Sequence, residues 1–203
     1  MRKMVERLRT LVTWLFGAVV FGLVLFSKPQ AETISPLLDG ALMIVACCGA
    51  AIGAIGRVWA SLYLGGYKNT KLITVGPYSI CRNPLYFFSF IGAVGVGCAT
   101  ETFTIPLVII AMFLLYYPFV VKAEEKRLAS IFGQEFEEYK KTTPAIIPNW
   151  FRKIVTPESW NVNPRLFARR SFDALWFIFF IGFLEFVEEL RAVGAIPTFF
   201  KLY

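Results

Sequence analysis

The sequence predicts an all-α integral membrane protein of about five transmembrane helices. Three observations point there. The 203-residue chain is 57% hydrophobic, 17% aromatic and only 17% charged, with a mean hydropathy of +0.60, which is too apolar for a soluble domain of this size. Its apolar runs reach or approach the roughly 17 to 25 residues that a helix needs to cross a bilayer. Its basic residues alternate between the two sides of those runs, and 18 of the 21 fall on one side. The chain reads as one membrane domain, with two N-terminal spans in residues 1–63, a core in 64–148, and a linker with an expected fifth span in 149–203.

The first run, residues 11–27, is long for a signal peptide's apolar region and no small-residue cleavage site follows it, so it is expected to stay as the first span. The second, residues 37–57, carries Gly40, Gly49, Gly53 and Gly56, and the third, residues 84–99, carries Gly92, Gly95 and Gly97. Small residues three and four apart let helices approach closely in lipid. Between these runs, residues 64–83 are polar and punctuated by Gly65-Gly66 and Gly76-Pro77, a loop with turns. Residues 100–102 make a tight external turn into the fourth run, residues 103–121. The resulting hairpin returns Glu124 to the membrane face that Asn83 leaves. Pro144 and Pro148 end helical structure, and a basic, aromatic linker with Trp150, Trp160 and Phe167 follows. The fifth run, residues 172–190, has an uncharged core of only 174–184, a length that fits both a crossing and an interfacial helix.

Arg2, Lys3, Arg7 and Arg9, then Arg57, Lys68, Lys71 and Arg82, then ten Lys or Arg in residues 122–170 share the side that the positive-inside rule assigns to the cytoplasm. Lys28, Arg191 and Lys201 are left outside. The net charge of +7 is therefore a topology signal with some attraction for anionic lipid, and no nucleic-acid partner is expected. The chain has no histidine, so the usual general base and the commonest metal ligand are missing. Cys47, Cys48, Cys81 and Cys98 form no CxxC pair, and no metal is expected.

Glu124 and Glu125 follow the fourth run where a membrane helix surfaces. If that helix continues through Tyr139, then Glu124, Glu125, Leu128, Ile131, Phe132, Phe136 and Tyr139 share one sector, with Lys126, Arg127, Glu137, Glu138, Lys140 and Lys141 on the rest. Carboxylates on an apolar face need a cation or a polar ligand. On the other side of the hairpin, Gly76-Pro77 makes a turn, Arg82 and Asn83 supply donors at the surface, and Pro84 suits the first helical position.

Taken in order, Leu72-x-Thr74-x-Gly76-Pro77-Tyr78, then Arg82-Asn83-Pro84-x-Tyr86, a two-helix hairpin, Glu124-Glu125-x-x-Leu128-x-x-x-Phe132-Gly133-x-x-Phe136-x-x-Tyr139 and Pro144-x-x-x-Pro148 resemble the membrane methyltransferases of the isoprenylcysteine carboxyl methyltransferase and phospholipid methyltransferase superfamily. The resemblance covers residues 71–148. It implies S-adenosylmethionine as cofactor, in a cytoplasmic-side pocket formed by the loop before span three and the amphipathic helix after span four. By position, the implied cofactor residues are Leu72, Ile73, Tyr78, Arg82, Asn83, Pro84, Leu85, Tyr86, Glu124 and Glu125, with Tyr86 and Glu125 the candidates for accepting a proton from the acceptor. A sulfonium and an ammonium suit carboxylates in a poorly solvated site. Two positions depart from the family pattern. Asn83 stands where histidine is usual and cannot titrate, and Phe88 stands where glycine is usual, which is expected to narrow the space beside the cofactor.

The implied activity is methyl transfer to a lipophilic acceptor entering from the bilayer, such as a prenylcysteine carboxylate or a phospholipid amine, in a bacterial inner membrane or the endoplasmic reticulum. Two other readings stand beside it. One is a sterol-reductase-like enzyme using NADPH, although a 2′-phosphate calls for Arg or Lys where this chain has an acidic pair. The other is a non-catalytic scaffold in which Glu124 and Glu125 pair with Arg82 or Lys122.

Overall fold

The computed structural model describes residues 15, 17–29, 35–67 and 70–202. Arg2, Lys3, Arg7 and Arg9, the start of the first apolar run, and Lys68 lie outside them. In chain order the elements are α1 (Gly17–Phe26), β1 (Ser27–Pro29), α2 (Pro36–Leu64), a 3-10 turn (Gly76–Ser79), α3 (Pro84–Cys98), α4 (Thr104–Phe132), α5 (Gln134–Thr142), α6 (Pro164–Ala192) and β2 (Phe200–Leu202).

α2 and α4, of 29 residues each, are long and apolar enough to cross a membrane. The 15 residues of α3 rise only about 22 Å, less than the ~30 Å hydrocarbon thickness. α6 equals α2 in length and runs antiparallel to it. Gly66 of the loop after α2 lies beside Asn163 at one end, and Leu42 and Ala46 meet Ile181 and Leu184 near the other. The fifth apolar run is thus the middle of a longer helix. Its start is set by Asn163, whose side chain accepts from the Leu166 amide, with Pro164 in the first turn. This cap signal lies outside the apolar stretch, so hydropathy alone does not register it.

α2 and α3 meet backbone to backbone. A Cβ built on Gly53 would lie 2.5 Å from Gly92 Cα, and one on Gly49 would lie 2.8 Å from Gly95 Cα. The Phe88 ring lies flush on Gly56, where a Cβ would meet it at 2.0 Å. Phe88, expected to narrow the space beside the cofactor, is buried with its ring turned toward α2 and Trp59.

Two expectations are corrected. The helix holding Glu124 does not continue through Tyr139; it ends at Phe132, and α5 begins after Gly133, whose φ of +52° stops the helical path. Leu128 and Phe132 from α4 and Phe136 and Tyr139 from α5 nonetheless close on Leu72 as one cluster, whereas Ile131 is exposed. The architecture is helical as expected, but the segment holding Lys28, read as a short external loop, is more than a loop. β1 and β2 pair in parallel, Ser27 with Phe200, Lys28 with Lys201 and Pro29 with Leu202, so Lys28 is in a two-stranded pairing and not a simple loop. Three-residue strands carry no periodicity from which sequence could read them.

Candidate functional site

The loop before α3 is fixed from both sides. Gly76 holds φ +60° with the Tyr63 ring against it, leaving no room for a Cβ. Tyr139 Oη donates to the Tyr78 carbonyl at 2.5 Å. The segment after α5 then runs along the loop and hydrogen-bonds to it repeatedly. The amides of Arg82 and Asn83 donate to the carbonyls of Pro144 and Ala145, Asn149 donates to Ile80, and Gly76 donates to Val155. The amide of Val155 donates to Ser79 Oγ at 3.1 Å. The proline pair Pro144 and Pro148 thus begins a strap that holds the Gly-Pro-Tyr and Arg-Asn-Pro motifs in place.

Arg82 joins this loop to α4 across 43 residues of sequence. Its Nε and Nη2 donate to Glu125 Oε1 at 2.9 and 2.7 Å, and Nη1 donates to the carbonyls of Lys140 and Thr143. Both side chains of the pair are mostly buried, at 10% and 14% exposure. Glu124 points elsewhere, 3.8 Å from Arg127 and 34% exposed. The acidic pair is therefore divided: Glu125 anchors the loop, and Glu124 offers its carboxylate at the surface.

The other predicted residues spread around this anchor. Asn83 is buried, and its amide donates to the Ala145 carbonyl at 2.9 Å instead of capping α3. Leu72 packs with Phe136 and Tyr139, while Ile73 and Tyr78 pack with Ala60 and Tyr63, and Leu85 borders the same group. Pro84 is buried in the first turn of α3. Tyr86 meets the Tyr117 ring edge-on at 5.2 Å. Trp160 serves as loop packing, donating to the Tyr63 carbonyl and carrying Lys71 over its face at 4.9 Å.

Two residues outside the predicted set reach the site. Tyr78 Oη is buried without a hydrogen-bond partner, and Arg170 of α6, which lowers the cost of ionising that hydroxyl, has its own Nη1 buried without one. Arg57 of α2 donates to Ser89 and stacks over Phe177, 5.9 Å away. In the sequence both arginines stand out only as topology charges. Arg170 stands two positions before the last apolar run, in the part of α6 that extends beyond it.

Burial raises the Tyr78 and Tyr139 hydroxyls above the ordinary tyrosine range, and it pushes the Cys81 thiol up to about 11. The Cys81 thiol also points at the Ile146 carbonyl at 2.9 Å. A raised thiol pKa means the reactive thiolate is absent at neutral pH and gains only as pH climbs toward 11. Cys81 is therefore expected to resist maleimide in the folded protein at pH 7 and to react once the protein is unfolded. Mass spectrometry of the labelled peptides checks this, and rapid modification of Cys81 would contradict the buried loop.

The phospholipid methyltransferase family matches residues 37–135. The cobalt-zinc-cadmium resistance protein CzcN of Cupriavidus metallidurans is 37% identical over 171 residues, covering 84% of this chain and 74% of that protein. The nickel-cobalt-cadmium resistance protein NccN of Alcaligenes xylosoxydans xylosoxydans is 37% identical over 167 residues, covering 81% and 76%. A protein-S-isoprenylcysteine O-methyltransferase of Schizosaccharomyces pombe is 32% identical over 81 residues, covering 40% of this chain and 34% of the yeast protein. No solved structure matches.

Proposed function

This chain belongs to the isoprenylcysteine carboxyl methyltransferase and phospholipid methyltransferase superfamily of membrane proteins, and from that premise we propose that it transfers a methyl group from S-adenosylmethionine to a lipid-borne acceptor. The observation that carries the proposal is the joining of the Tyr78 to Tyr86 loop to the Glu124 end of α4 through Arg82 and Glu125. The residues suit the cofactor. Glu124 offers a carboxylate to its cationic groups, and Tyr78 Oη and Arg170 Nη1 are buried donors without partners that suit its carboxylate and hydroxyls. When bound, the cofactor would supply an electrophilic methyl on a sulfonium, whose sulfur would depart as a neutral thioether as the acceptor takes the methyl in line. What this chain does is hold donor and acceptor in line and keep water out. Glu125 acts by fixing the loop, and Tyr86, beside Tyr117 at the start of α3, remains the candidate for taking a proton from an amine acceptor.

In this reading the bundle crosses the membrane several times with the Arg82–Glu125 end in the cytoplasm, and the acceptor enters from the bilayer as a prenylcysteine carboxylate, a phospholipid amine or a similar lipophile. The names of the two relatives matched over most of the chain lead us to place this methylation within resistance to divalent metals. The Arg82–Glu125 pair also satisfies a purely structural role, and Arg170 would serve an anionic cofactor such as NADPH, so Glu124 decides among the readings.

Calorimetry on the purified protein in detergent is expected to show binding of S-adenosylmethionine and not of NADPH. Glu124→Gln should weaken that binding by about 1.5 to 3 kcal/mol through loss of a charge-assisted hydrogen bond. Undiminished affinity in a folded Glu124→Gln protein would remove Glu124 from the site, and NADPH binding in its place would overturn the cofactor.

A further inference from the structure

At the other end of α3 from Arg82, the turn into α4 gathers a group of carboxylates that sequence spacing does not reveal. Glu101 of the turn, with Glu185 and Glu188 of α6, brings three carboxylate oxygens within 4.8 Å of one another. Asp39, in the first turn of α2, acts on Glu101 at close range. Glu101 is only 4% exposed, and its Oε2 is buried with no hydrogen-bond partner; Asp39 Oδ1 is in the same condition. An ionised carboxylate only accepts hydrogen bonds, so oxygens that face one another this closely need a proton or a cation between them.

The charge of Arg191 reaches Glu101 and Glu188. Its Nη2 donates to the Val24 carbonyl instead, and its Nε has no partner. With that guanidinium turned toward α1, Glu101 Oε2 and Asp39 Oδ1 stay buried without a hydrogen-bond donor, in a setting where an unmatched buried charge is costly. We propose that Glu101, Glu185, Glu188 and Asp39 form a divalent-cation site at the end of the bundle opposite the Arg82–Glu125 anchor. The donors are all carboxylate oxygens, a set that suits hard to borderline ions such as Mg²⁺ or Mn²⁺. The ion would tie the first turn of α2, the α3–α4 turn and the end of α6 together, and its ligands reach the surface at Glu185, which is exposed.

Mn²⁺ is the probe, since its free-ion paramagnetic resonance signal falls on binding. Full-length protein in detergent, stripped with chelator, should take up about one Mn²⁺ per chain, and Zn²⁺ and Co²⁺ should be tested as competitors. Glu101→Gln should weaken uptake at least as much as loss of an outer-shell partner does, about 10- to 100-fold. Glu185→Gln, at an exposed position where folding is not at risk, should also weaken it. S-adenosylmethionine binding, measured on the same samples, reports separately on the opposite end of the bundle and on folding. No Mn²⁺ uptake by the wild-type chain, or uptake unchanged in both variants, would overturn the site and leave shared protons as the occupant of the cluster.

Discussion

Arg82→Met is expected to destabilise the protein by about 3 to 5 kcal/mol, the usual cost of stranding one member of a buried ion pair. Glu125 would lose both donors, and the carbonyls of Lys140 and Thr143 would lose theirs. The loss should fall on the loop as well as on global stability, because this one guanidinium joins α4, α5 and the strap to the motif. Arg82→Lys should not rescue it, since a single ammonium cannot reproduce donors spread over three nitrogens. The double variant Arg82→Met with Glu125→Met should recover much of the loss, because no charge is left unpaired. Thermal unfolding in detergent, run as a double-mutant cycle, measures these effects. Equal destabilisation by the single and double variants would show that the pair is not the anchor.

Gly53→Leu is expected to give no folded protein at all. The Cβ of even an alanine there would lie 2.5 Å from Gly92 Cα, against backbone that has no rotamer to change. Gly53→Ala should therefore cost at the upper end of the about 1 to 3 kcal/mol typical of overpacking. Gly40→Ala is the control, since a Cβ at Gly40 meets nothing within 4 Å. Comparing yield and unfolding temperature across the three variants tests whether α2 and α3 depend on direct backbone contact. A stable Gly53→Leu protein would refute it.

Much of this architecture is legible in the sequence, for identifiable reasons. The glycines of the second and third runs announce a close helix pair, because in lipid only small residues permit it. The Gly76-Pro77 turn and Pro84 start are local signals, and the structure places both as read. The division between Glu124 and Glu125 is not legible: neighbours in sequence differ by 100° around a helix, and which one faces Arg82 depends on how α4 is rotated. Arg170 and the Glu101 cluster are hidden for a related reason. Each draws on α6, whose position against α2 and α3 follows from tertiary packing that no short motif encodes. The end of α4 at Phe132 was open to reading, since Gly133 is a common stop signal, but the apolar periodicity of Phe136 and Tyr139 runs on across it.

The strap that follows α5 has a consequence for the order in which the protein can be made. Asn83 waits for Ala145, 62 residues later, and Ser79 waits for Val155, 76 residues later. A ribosome delivers the hairpin of α3 and α4 to the membrane well before it delivers the residues that finish the loop. During that interval the Gly-Pro-Tyr and Arg-Asn-Pro segments have unpaired backbone, and the site does not yet exist. In the proposed reading insertion and loop closure are separate events: the helices would settle in lipid first, and the loop would take its final form only when the strap emerges and closes over it.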